Sequence, residues 1–316
     1  MLANFVALAI LIALAGLGVW AAFRVLKSKK ALIKWGGLAL LILPTLLLTL
    51  LSIFQAVGMY RLYMPRGNPV VELQIEGTTQ QIERGEHIAH SICSGCHSLD
   101  KSLPLSGGKN ISEEAGMPLG EITPPNLTPG GRIKDWTNGE IARAIREGTD
   151  PDGHMLVMMN SQNFRALGED DLKSIIAYLR SQPTVQKESP AENLSPLAVM
   201  FGGAGLFPIR GLPSPEYPSQ PAVGPTREYG EYIAGVYNCQ ECHGEDLTGG
   251  AGGLLPKGPN LRVVKVWTTA QFINTMRTGI NPTGGELDPD QMPWEFVGRL
   301  NDDELTAIHS YLTSLE

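Results

Sequence analysis

Two long apolar stretches dominate the first 66 residues of the chain, and neither contains a charged residue. The first covers residues 3–23 and the second covers residues 36–58. Each is close to the roughly 20 residues that a helix needs to cross the hydrocarbon core of a membrane. The pattern therefore predicts two membrane-spanning helices, which together form a two-helix membrane anchor over residues 1–66.

A removable signal peptide is the competing interpretation of the first stretch. Signal peptides begin with a positively charged segment and have a shorter apolar core, whereas residues 1–4 contain no lysine or arginine. Five basic residues lie between the two stretches and only two follow the second one closely. By the positive-inside rule we expect a cytoplasmic loop, and a two-pass protein of the inner membrane whose remaining chain is periplasmic.

After residue 66 the pattern changes to short amphipathic segments. In one of them the apolar residues Leu172, Ile175, Ile176 and Leu179 recur at the spacing of one helix face. The chain contains 36 glycines and 23 prolines, which predicts long irregular connections and disfavours large sheets. The expected fold class is all-α.

Charge is distributed unevenly along the chain. The net charge is -7, although the first 66 residues hold seven basic residues and no acidic ones. The remainder is therefore strongly acidic. This excludes nucleic acid as an expected partner, because binding phosphates needs clustered lysine and arginine.

All four cysteines lie in two copies of one motif. Residues 93–97 read Cys-Ser-Gly-Cys-His and residues 239–243 read Cys-Gln-Glu-Cys-His, and C-x-x-C-H is the attachment signature of c-type haem. Two thiols at this spacing can each form a thioether with a haem vinyl group, and the imidazole that follows then faces the iron. We expect two covalently attached haem c groups, with these residues as thioether and proximal ligands: Cys93, Cys96, His97, Cys239, Cys242 and His243.

Three other uses of paired cysteines fit the sequence less well. Zinc sites usually keep their two pairs about 15 to 20 residues apart, but 143 positions separate Cys96 from Cys239. A thioredoxin-like motif needs a βαβ pattern around it, which the sequence does not show. Disulfides are compatible with a periplasmic location, but they give no reason for a histidine after each pair.

The two motifs belong to an internal repeat. The chain aligns with itself at an offset of 145 residues before the motifs and of 131, then 133, residues after them. We therefore expect one domain at residues 67–183, a second at residues 225–316, and a Pro/Gly-rich extended linker at residues 184–224. The apolar stretch at residues 197–207 of this linker fits either a neighbouring subunit or the seam between the domains.

The repeat also indicates the second axial ligand of each iron. Met159 and Met292 match at the offset of 133, and a thioether is a common partner of a histidine on haem iron. We expect these two methionines to complete the coordination. Met158 directly precedes Met159, so a slip of one residue leaves Met158 as the alternative in the first copy.

Four further residues are predicted to bind the haem groups. Asn126 and Asn260 belong to two Pro-Asn-Leu loops that we expect on the proximal side of each haem. Trp136 and Trp267 can place their ring N–H near the haem edge, and ordinary core packing is an equally good interpretation. His87 aligns with a tyrosine in the second copy, so we expect it to pack against another helix instead of binding iron.

The repeat predicts three helices in each copy. One leads into the motif and contains Gly85 or Gly230, and one begins at Thr137 or Thr268, whose hydroxyls suit an N-cap. The third is the C-terminal helix of each copy, which starts with three acidic residues. We assign those charges first to the helix dipole and second to the docking of a partner.

These residues resemble class I cytochrome c domains over residues 78–183 and 225–316. The segment at residues 120–129, together with Trp136 and the Met159 loop, is similar to the cytochrome subunits of membrane-bound alcohol and gluconate dehydrogenases, which generally carry three haems and one hydrophobic anchor. The arrangement of an N-terminal anchor before tandem domains is similar to that of the two-haem cytochrome subunits of respiratory complexes, including cbb-type oxidases and quinol-oxidising complexes.

The resemblance and the ligands imply a function in electron transfer. An iron bound by histidine and methionine has no open position for a substrate, so we expect no catalytic residues. The expected protein is a membrane-anchored dihaem relay between a quinol-oxidising or dehydrogenase complex and a downstream cytochrome, oxidase or photosynthetic centre. Its expected partners are other subunits of a membrane electron-transfer complex, a soluble redox carrier and membrane lipid.

A dihaem redox enzyme, peroxidase-like or thiosulfate-oxidising, is the alternative function. It needs one iron with an exchangeable ligand. The methionine-rich loop of the first copy is the feature that could supply such a ligand.

Overall fold

The computed structural model describes residues 1–207, 209–250 and 257–315, so that Pro208 of the predicted linker lies outside the described residues. The described chain is mostly helical, as predicted. In chain order the helices are α1 Leu2–Leu26, α2 Ala31–Tyr63, α3 Thr79–Ile88, α4 Ser94–His97, α5 Ile111–Glu114, α6 Asn138–Glu147, α7 Val157–Ser161, α8 Glu169–Ser181, α9 Pro196–Gly203, α10 Arg227–Val236, α11 Cys239–His243, α12 Thr269–Thr278, α13 Trp294–Val297 and α14 Asp302–Ser314.

Shorter elements complete the fold. A π-helical turn at Ala89–Cys93 joins α3 to α4, and 3-10 turns occur at Phe164–Ala166 and Leu261–Val266. The strands β1 Gly120–Glu121 and β2 Asn193–Leu194 form an antiparallel pair. The chain divides into two compact units. The first unit comprises Met1–Pro65, Asn110–Thr123 and Pro190–Ile209, and the second unit comprises Arg66–Lys109, Pro124–Ser189 and Arg210–Glu316.

The first unit contains the predicted pair of apolar helices. Both α1 and α2 are long and apolar enough to cross a membrane, by length and composition. They form an antiparallel hairpin, because Asn4 near the start of α1 bonds Tyr63 at the end of α2 at 2.8 Å. Asn4 is fully buried and also accepts a hydrogen bond from the side chain of Gln55.

A third apolar helix, α9, belongs to the first unit and lies within the predicted linker. Ser195 caps it through a bond from the Ala198 N–H. The helix packs very closely against α2: a Cβ on Gly58 would come within 1.9 Å of the Val199 carbonyl oxygen. The linker is therefore not extended throughout. Its sequence does not indicate α9, because an eight-residue helix depends on packing more than on intrinsic propensity.

The second unit contains the two copies of the repeat, and the predicted helices are present in both. In each copy the helix before the motif crosses the C-terminal helix at a glycine. A Cβ on Gly85 would come within 1.8 Å of the Ser174 carbonyl oxygen, and a Cβ on Gly230 within 1.9 Å of the Ala307 carbonyl oxygen. Only a glycine allows the two backbones to approach so closely.

The predicted N-caps are also present in both copies. The hydroxyl of Thr137 accepts from the backbone of α6, and that of Thr268 accepts from the backbone of α12. In each case the side chain three residues later bonds back to the threonine N–H, which completes a capping box. Each copy has an apolar core, in which Leu172 and the aligned Leu305 are fully buried, and the core of the first copy also includes Val236 from α10 of the second.

Candidate haem sites

The histidine of each motif is buried and has one ring nitrogen already bonded. His97 is the last residue of α4, and its Nδ1 lies 2.9 Å from the Pro125 carbonyl oxygen. His243 is the last residue of α11, and its Nδ1 lies 2.8 Å from the Pro259 carbonyl oxygen. A carbonyl can only accept, so Nδ1 donates in both rings. The lone pair is therefore on Nε2, which is the arrangement that a metal-binding histidine needs.

Both histidines are buried, and for His97 burial supports the neutral form of the ring. His97 and His243 expose only 7% and 6% of their surface. Burial lowers the pKa of His97, and the bond to the Pro125 carbonyl opposes that shift only in part. A neutral imidazole is the form that can bind iron.

The loops that carry the two proline carbonyls are fastened in the same way. The N–H of Gly107 donates to the His97 carbonyl at 2.9 Å, and the N–H of Gly249 donates to the His243 carbonyl at 2.7 Å. Both glycines have a positive φ, 96° and 93°, which other residues adopt only under strain. The Leu127 and Leu261 N–H groups of the two Pro-Asn-Leu loops in turn donate to the Leu105 and Leu247 carbonyls at 2.8 and 2.9 Å. Each loop is thus held against the segment that follows its histidine.

None of the four cysteines of the motifs forms a disulfide in the structure. Cys93 packs against the core of the first copy, and Cys239 packs against that of the second. Burial, together with smaller effects, raises the pKa of each of these two thiols to about 12. A pair of cysteines beside a buried imidazole whose Nδ1 is already bonded fits a covalently bound haem c, so the residues present suit the group that the motif implies.

Both predicted methionine ligands are half-buried. Met159 is half-buried in α7, and Met292 is half-buried just before α13, where it packs against the second core. Met158 is also half-buried in α7, whereas Met155 is buried. Iron binding by Met159 and Met292 stays a prediction, and so does the alternative at Met158.

The two predicted asparagines have different surroundings. Asn126 is fully buried, and its side-chain N–H groups donate to the carbonyls of Val185 and Lys187 at 2.8 and 3.0 Å. Asn260 is exposed and caps the 3-10 turn through the Arg262 N–H at 2.8 Å. Both side chains therefore fix the Pro-Asn-Leu loop, and direct contact with haem stays a prediction for them.

Trp136 and Trp267 both pack against the core of their own copy. This placement agrees with the core-packing interpretation, and a contact of the ring N–H with the haem edge stays a prediction.

Polar side chains of the first copy bond polar side chains of the second along an interface, called the seam below, which the sequence does not predict. His87 Nε2 lies 2.6 Å from Glu304 Oε2, and the Tyr232 hydroxyl donates to Asp171 at 2.9 Å. These contacts are equivalent, because His87 aligns with Tyr232 and Asp171 aligns with Glu304. Each copy therefore presents the same patch to the other, as in an isologous dimer.

Arg84 lies at the centre of this seam. Its guanidinium binds Asp171 at 2.9 Å and Glu304 at 2.7 Å, and it donates to the Tyr229 hydroxyl at 2.7 Å. Tyr229 is the residue that aligns with Arg84. Because Arg84 contacts Tyr229, the aligned residue of the other copy, the pseudo-two-fold axis that relates the copies passes through this contact.

The seam keeps a buried carboxylate charged. The side chain of Glu304 is 1% exposed. Burial alone would raise the pKa of Glu304, but the hydrogen bonds from His87 and Arg84 outweigh it and lower this pKa to about 2. The acidic first turns of α8 and α14, which the sequence assigned first to the helix dipole, thus also join the two copies.

Three potential metal ligands lie together elsewhere in the described part of the chain. Ligand atoms of Asp150, Asp152 and His154 lie within 4.8 Å of one another. His154 Nδ1 lies 3.7 Å from an Asp150 carboxylate oxygen. The proximity of these side chains to one another is all that marks this group.

Comparison with known proteins assigns the fold. The family model for cytochrome c matches residues 82–183 and 228–316, which together are more than half of the chain. The chain is also 27% identical over 260 residues to a subunit of nicotinate dehydrogenase from Pseudomonas putida. The alignment covers 74% of this chain and 21% of that protein, so the chain spans about a fifth of the relative's length. With a C-x-x-C-H motif and a buried histidine in each matched region, the chain belongs to the cytochrome c family.

Proposed function

We propose that the protein is a membrane-anchored dihaem c-type cytochrome that relays electrons. In this function it accepts them from a quinol-oxidising or dehydrogenase complex and delivers them to a downstream cytochrome, oxidase or photosynthetic centre. One observation carries the proposal: the same proximal arrangement, a buried histidine whose Nδ1 donates to a proline carbonyl, is built twice in the second unit.

The residues of each site suit electron transfer. Bound haem c would supply a one-electron couple between its two iron states. The carbonyls of Pro125 and Pro259 orient the imidazoles and fix their tautomer, which second-shell bonds do in metal sites generally. Met159 and Met292, as the opposite ligands, would leave no position for a substrate and would favour the reduced iron. Burial of the histidines excludes water from the proximal side.

The N-terminal helices support attachment to a membrane. We propose that α1 and α2 span the inner membrane and that the haem domains lie on the periplasmic side. The basic residues between the helices support this orientation. Attachment of haem c needs thiols and haem outside the cytoplasm, which the same orientation provides.

The identity of the relative supports a partner complex. The relative from Pseudomonas putida is named as one subunit of a dehydrogenase, which favours a dehydrogenase as the electron donor of this chain. Other subunits of that complex, a soluble redox carrier and membrane lipid would then be its partners.

The proposal is tested by purifying the tagged full-length chain from its own membranes in mild detergent. We expect subunits of a dehydrogenase or quinol-oxidising complex to co-purify, and the donor substrate of that complex to reduce the haems. A mock purification from cells without the tag is the control. A chain that purifies without redox partners and binds carbon monoxide rapidly at one haem would instead support the dihaem redox enzyme.

A further inference from the structure

We propose that Phe296 and Arg299 are positioning residues that hold the haem-attachment turn of the first copy against the methionine loop of the second, and that electrons pass between the two sites at this contact. The proposal rests on the proposed function, since it presupposes a haem at each motif. The exchange moves one electron from one site to the other, so it consumes no further reactant.

Phe296 lies directly on the first motif. A Cβ added to Gly95, which stands between Cys93 and Cys96, would come within 3.1 Å of the Phe296 ring. Any larger side chain at position 95 would have to displace this ring. The second copy therefore covers the turn to which the first haem would be attached.

Arg299 fixes the same contact with hydrogen bonds. Its guanidinium donates to the Ser94 hydroxyl and to the His90 carbonyl, both at 2.6 Å. The guanidinium also lies 4.7 Å from the centre of the Phe296 ring, a cation-π distance. Phe296 and Arg299 thus act together on a turn that the sequence places in the other domain.

A linker residue, Arg210, connects the first copy to the second motif in a similar way. Arg210 is held beside α7, because its N–H donates to the Asn160 side chain at 2.8 Å and its Nε donates to the Ser161 carbonyl at 3.0 Å. From there it reaches Glu241, between Cys239 and Cys242, at 2.9 Å.

Two aligned backbone carbonyls, one shortly before each motif, each accept a hydrogen bond from the other copy. The His90 carbonyl aligns with the Gly235 carbonyl. The first accepts from Arg299, and the second accepts from Asn163 at 2.9 Å. Both donors lie between the predicted methionine ligand and the C-terminal helix of their copy.

These contacts are made by residues that lie close in sequence to the predicted methionine ligands. Asn160 directly follows Met159, and Phe296 stands four residues after Met292. The segment that follows each predicted methionine ligand is thus tied to the other motif, directly by Phe296 and Arg299 in one direction and through the linker residue Arg210 in the other. The ion-pair cluster around Arg84 holds the same seam from its centre, so the relative placement of the two haems is set by the fold.

The test uses the purified full-length holoprotein. One-electron flash reduction measures the rate at which the two haems exchange an electron, and electron paramagnetic resonance measures the magnetic coupling of the oxidised haems. We expect the double variant Phe296→Ala/Arg299→Gln to slow exchange about tenfold or more, because small misplacements of reacting groups have large effects on rate, and to weaken the coupling. Both haems should remain attached and low-spin.

Two further variants keep the test specific. Arg277→Gln removes an arginine that pairs with Asp302 within the second copy at 2.9 Å, so it should change neither measurement. Should the double variant not fold, Gly95→Val opens the same contact from the other side and leaves C-x-x-C-H intact.

The outcomes separate the two proposals. Unchanged exchange and coupling in the double variant or in Gly95→Val, with both haems intact, would overturn the positioning role alone. An unaltered chain that carries fewer than two haems, and so shows neither electron exchange nor magnetic coupling, would instead count against the proposed function.

Discussion

The two copies of the repeat keep one set of features and vary another. Both keep the bond from the histidine Nδ1 to a proline carbonyl, although 28 residues separate the partners in the first copy and 16 in the second. The additional chain of the first copy contains Asn110–Thr123, which belongs to the first unit together with α1 and α2. The surroundings of the motif histidine are thus the same in both copies, whereas the chain between the histidine and its proline partner differs in length and, in the first copy, contributes to the first unit.

The backbone between the preceding helix and the motif also differs between the two copies. In the first copy, α3 runs through the π-helical turn into α4 without a break. In the second copy, which has one more residue there, Asn238 adopts a left-handed conformation between α10 and α11. Both paths bring the two cysteines and the histidine into one helical turn, so the local structure of the motif is kept while the path that leads to it differs.

The seam shows a third difference. The first copy contributes Arg84 and His87, where the second contributes Tyr229 and Tyr232, while both contribute a carboxylate. Two first copies would bring two arginines together on the axis, and two second copies would bury two carboxylates without a cation. The divergence therefore favours the pairing of one first copy with one second copy.

The helix crossings give the strongest test of the equivalence of the copies. Gly85→Val and Gly230→Val should each force a Cβ into a backbone carbonyl and cost more than about 3 kcal/mol of stability. Each variant should lose mainly the haem of its own copy. Haem content per chain and thermal unfolding check this, and equal damage to both copies by either variant would contradict two separate cores.

The second test breaks the seam. Glu304→Gln removes the charge that Arg84 and His87 share and should destabilise the second unit by about 3 kcal/mol, as is typical of a broken buried pair. Asp171→Asn should cost less, since Glu304 still binds Arg84. Denaturant unfolding measures the two free energies of unfolding. A larger loss of stability in Asp171→Asn than in Glu304→Gln would show that Asp171 contributes more to the seam than Glu304 does.

The same carboxylate predicts a dependence on pH. The pKa of Glu304 is lowered from 4.5 to about 2 by folding, so its contribution to stability, on the order of 3 kcal/mol, is complete above pH 4.5. That contribution is lost as the pH falls from 4.5 towards 2. The free energy of unfolding measured over this range should fall more steeply in the unaltered chain than in Glu304→Gln, and identical slopes would refute the assignment.

The axial ligands provide a third test. Met292→His and Met159→His should each lower the reduction potential of one haem on the order of 0.1 V, equivalent to about 2 kcal/mol. Met158→His is the matched control in the first copy. Redox titration distinguishes the adjacent methionines, because the reduction potential should fall in Met159→His and not in Met158→His. A lower potential only in Met158→His would show that Met158 is the ligand.

The helix caps should give the smallest effect. Thr137→Ala and Thr268→Ala each remove one half of a capping box and should cost about 1 kcal/mol. The losses should be nearly equal, since the two boxes are equivalent. Thermal unfolding measures them, with Thr248→Ala, which lies outside both helices, as the control.

The sequence predicts the parts of this molecule that depend on local patterns. The motifs, the repeat, the capping threonines and the apolar helices are visible as short spacings of particular residue types. The seam is not, because Arg84 and Glu304 are 220 positions apart and nothing in either local pattern links them. The alignment of His87 with a tyrosine, and of Asp171 with a glutamate, was the available signal, since equivalent polar residues on equivalent faces can pair across an axis.

Two other features depend on tertiary structure in the same way. The carbonyls of Pro125 and Pro259 are main-chain atoms, and the sequence shows only the loop to which they belong. α9 is stabilised by its close packing on Gly58, which no periodicity within residues 196–203 reveals. The sequence thus predicts which residues form each site more completely than it predicts how the sites are joined.

The central claim is that two irons are each bound by a histidine and a methionine. Mass spectrometry of the purified chain, combined with optical spectra in both oxidation states and with added carbon monoxide, tests it most directly. We predict two covalent haems per chain, both low-spin, a methionine charge-transfer band in the oxidised form, and no binding of carbon monoxide. A single haem, or a five-coordinate iron that takes up carbon monoxide, would contradict this claim.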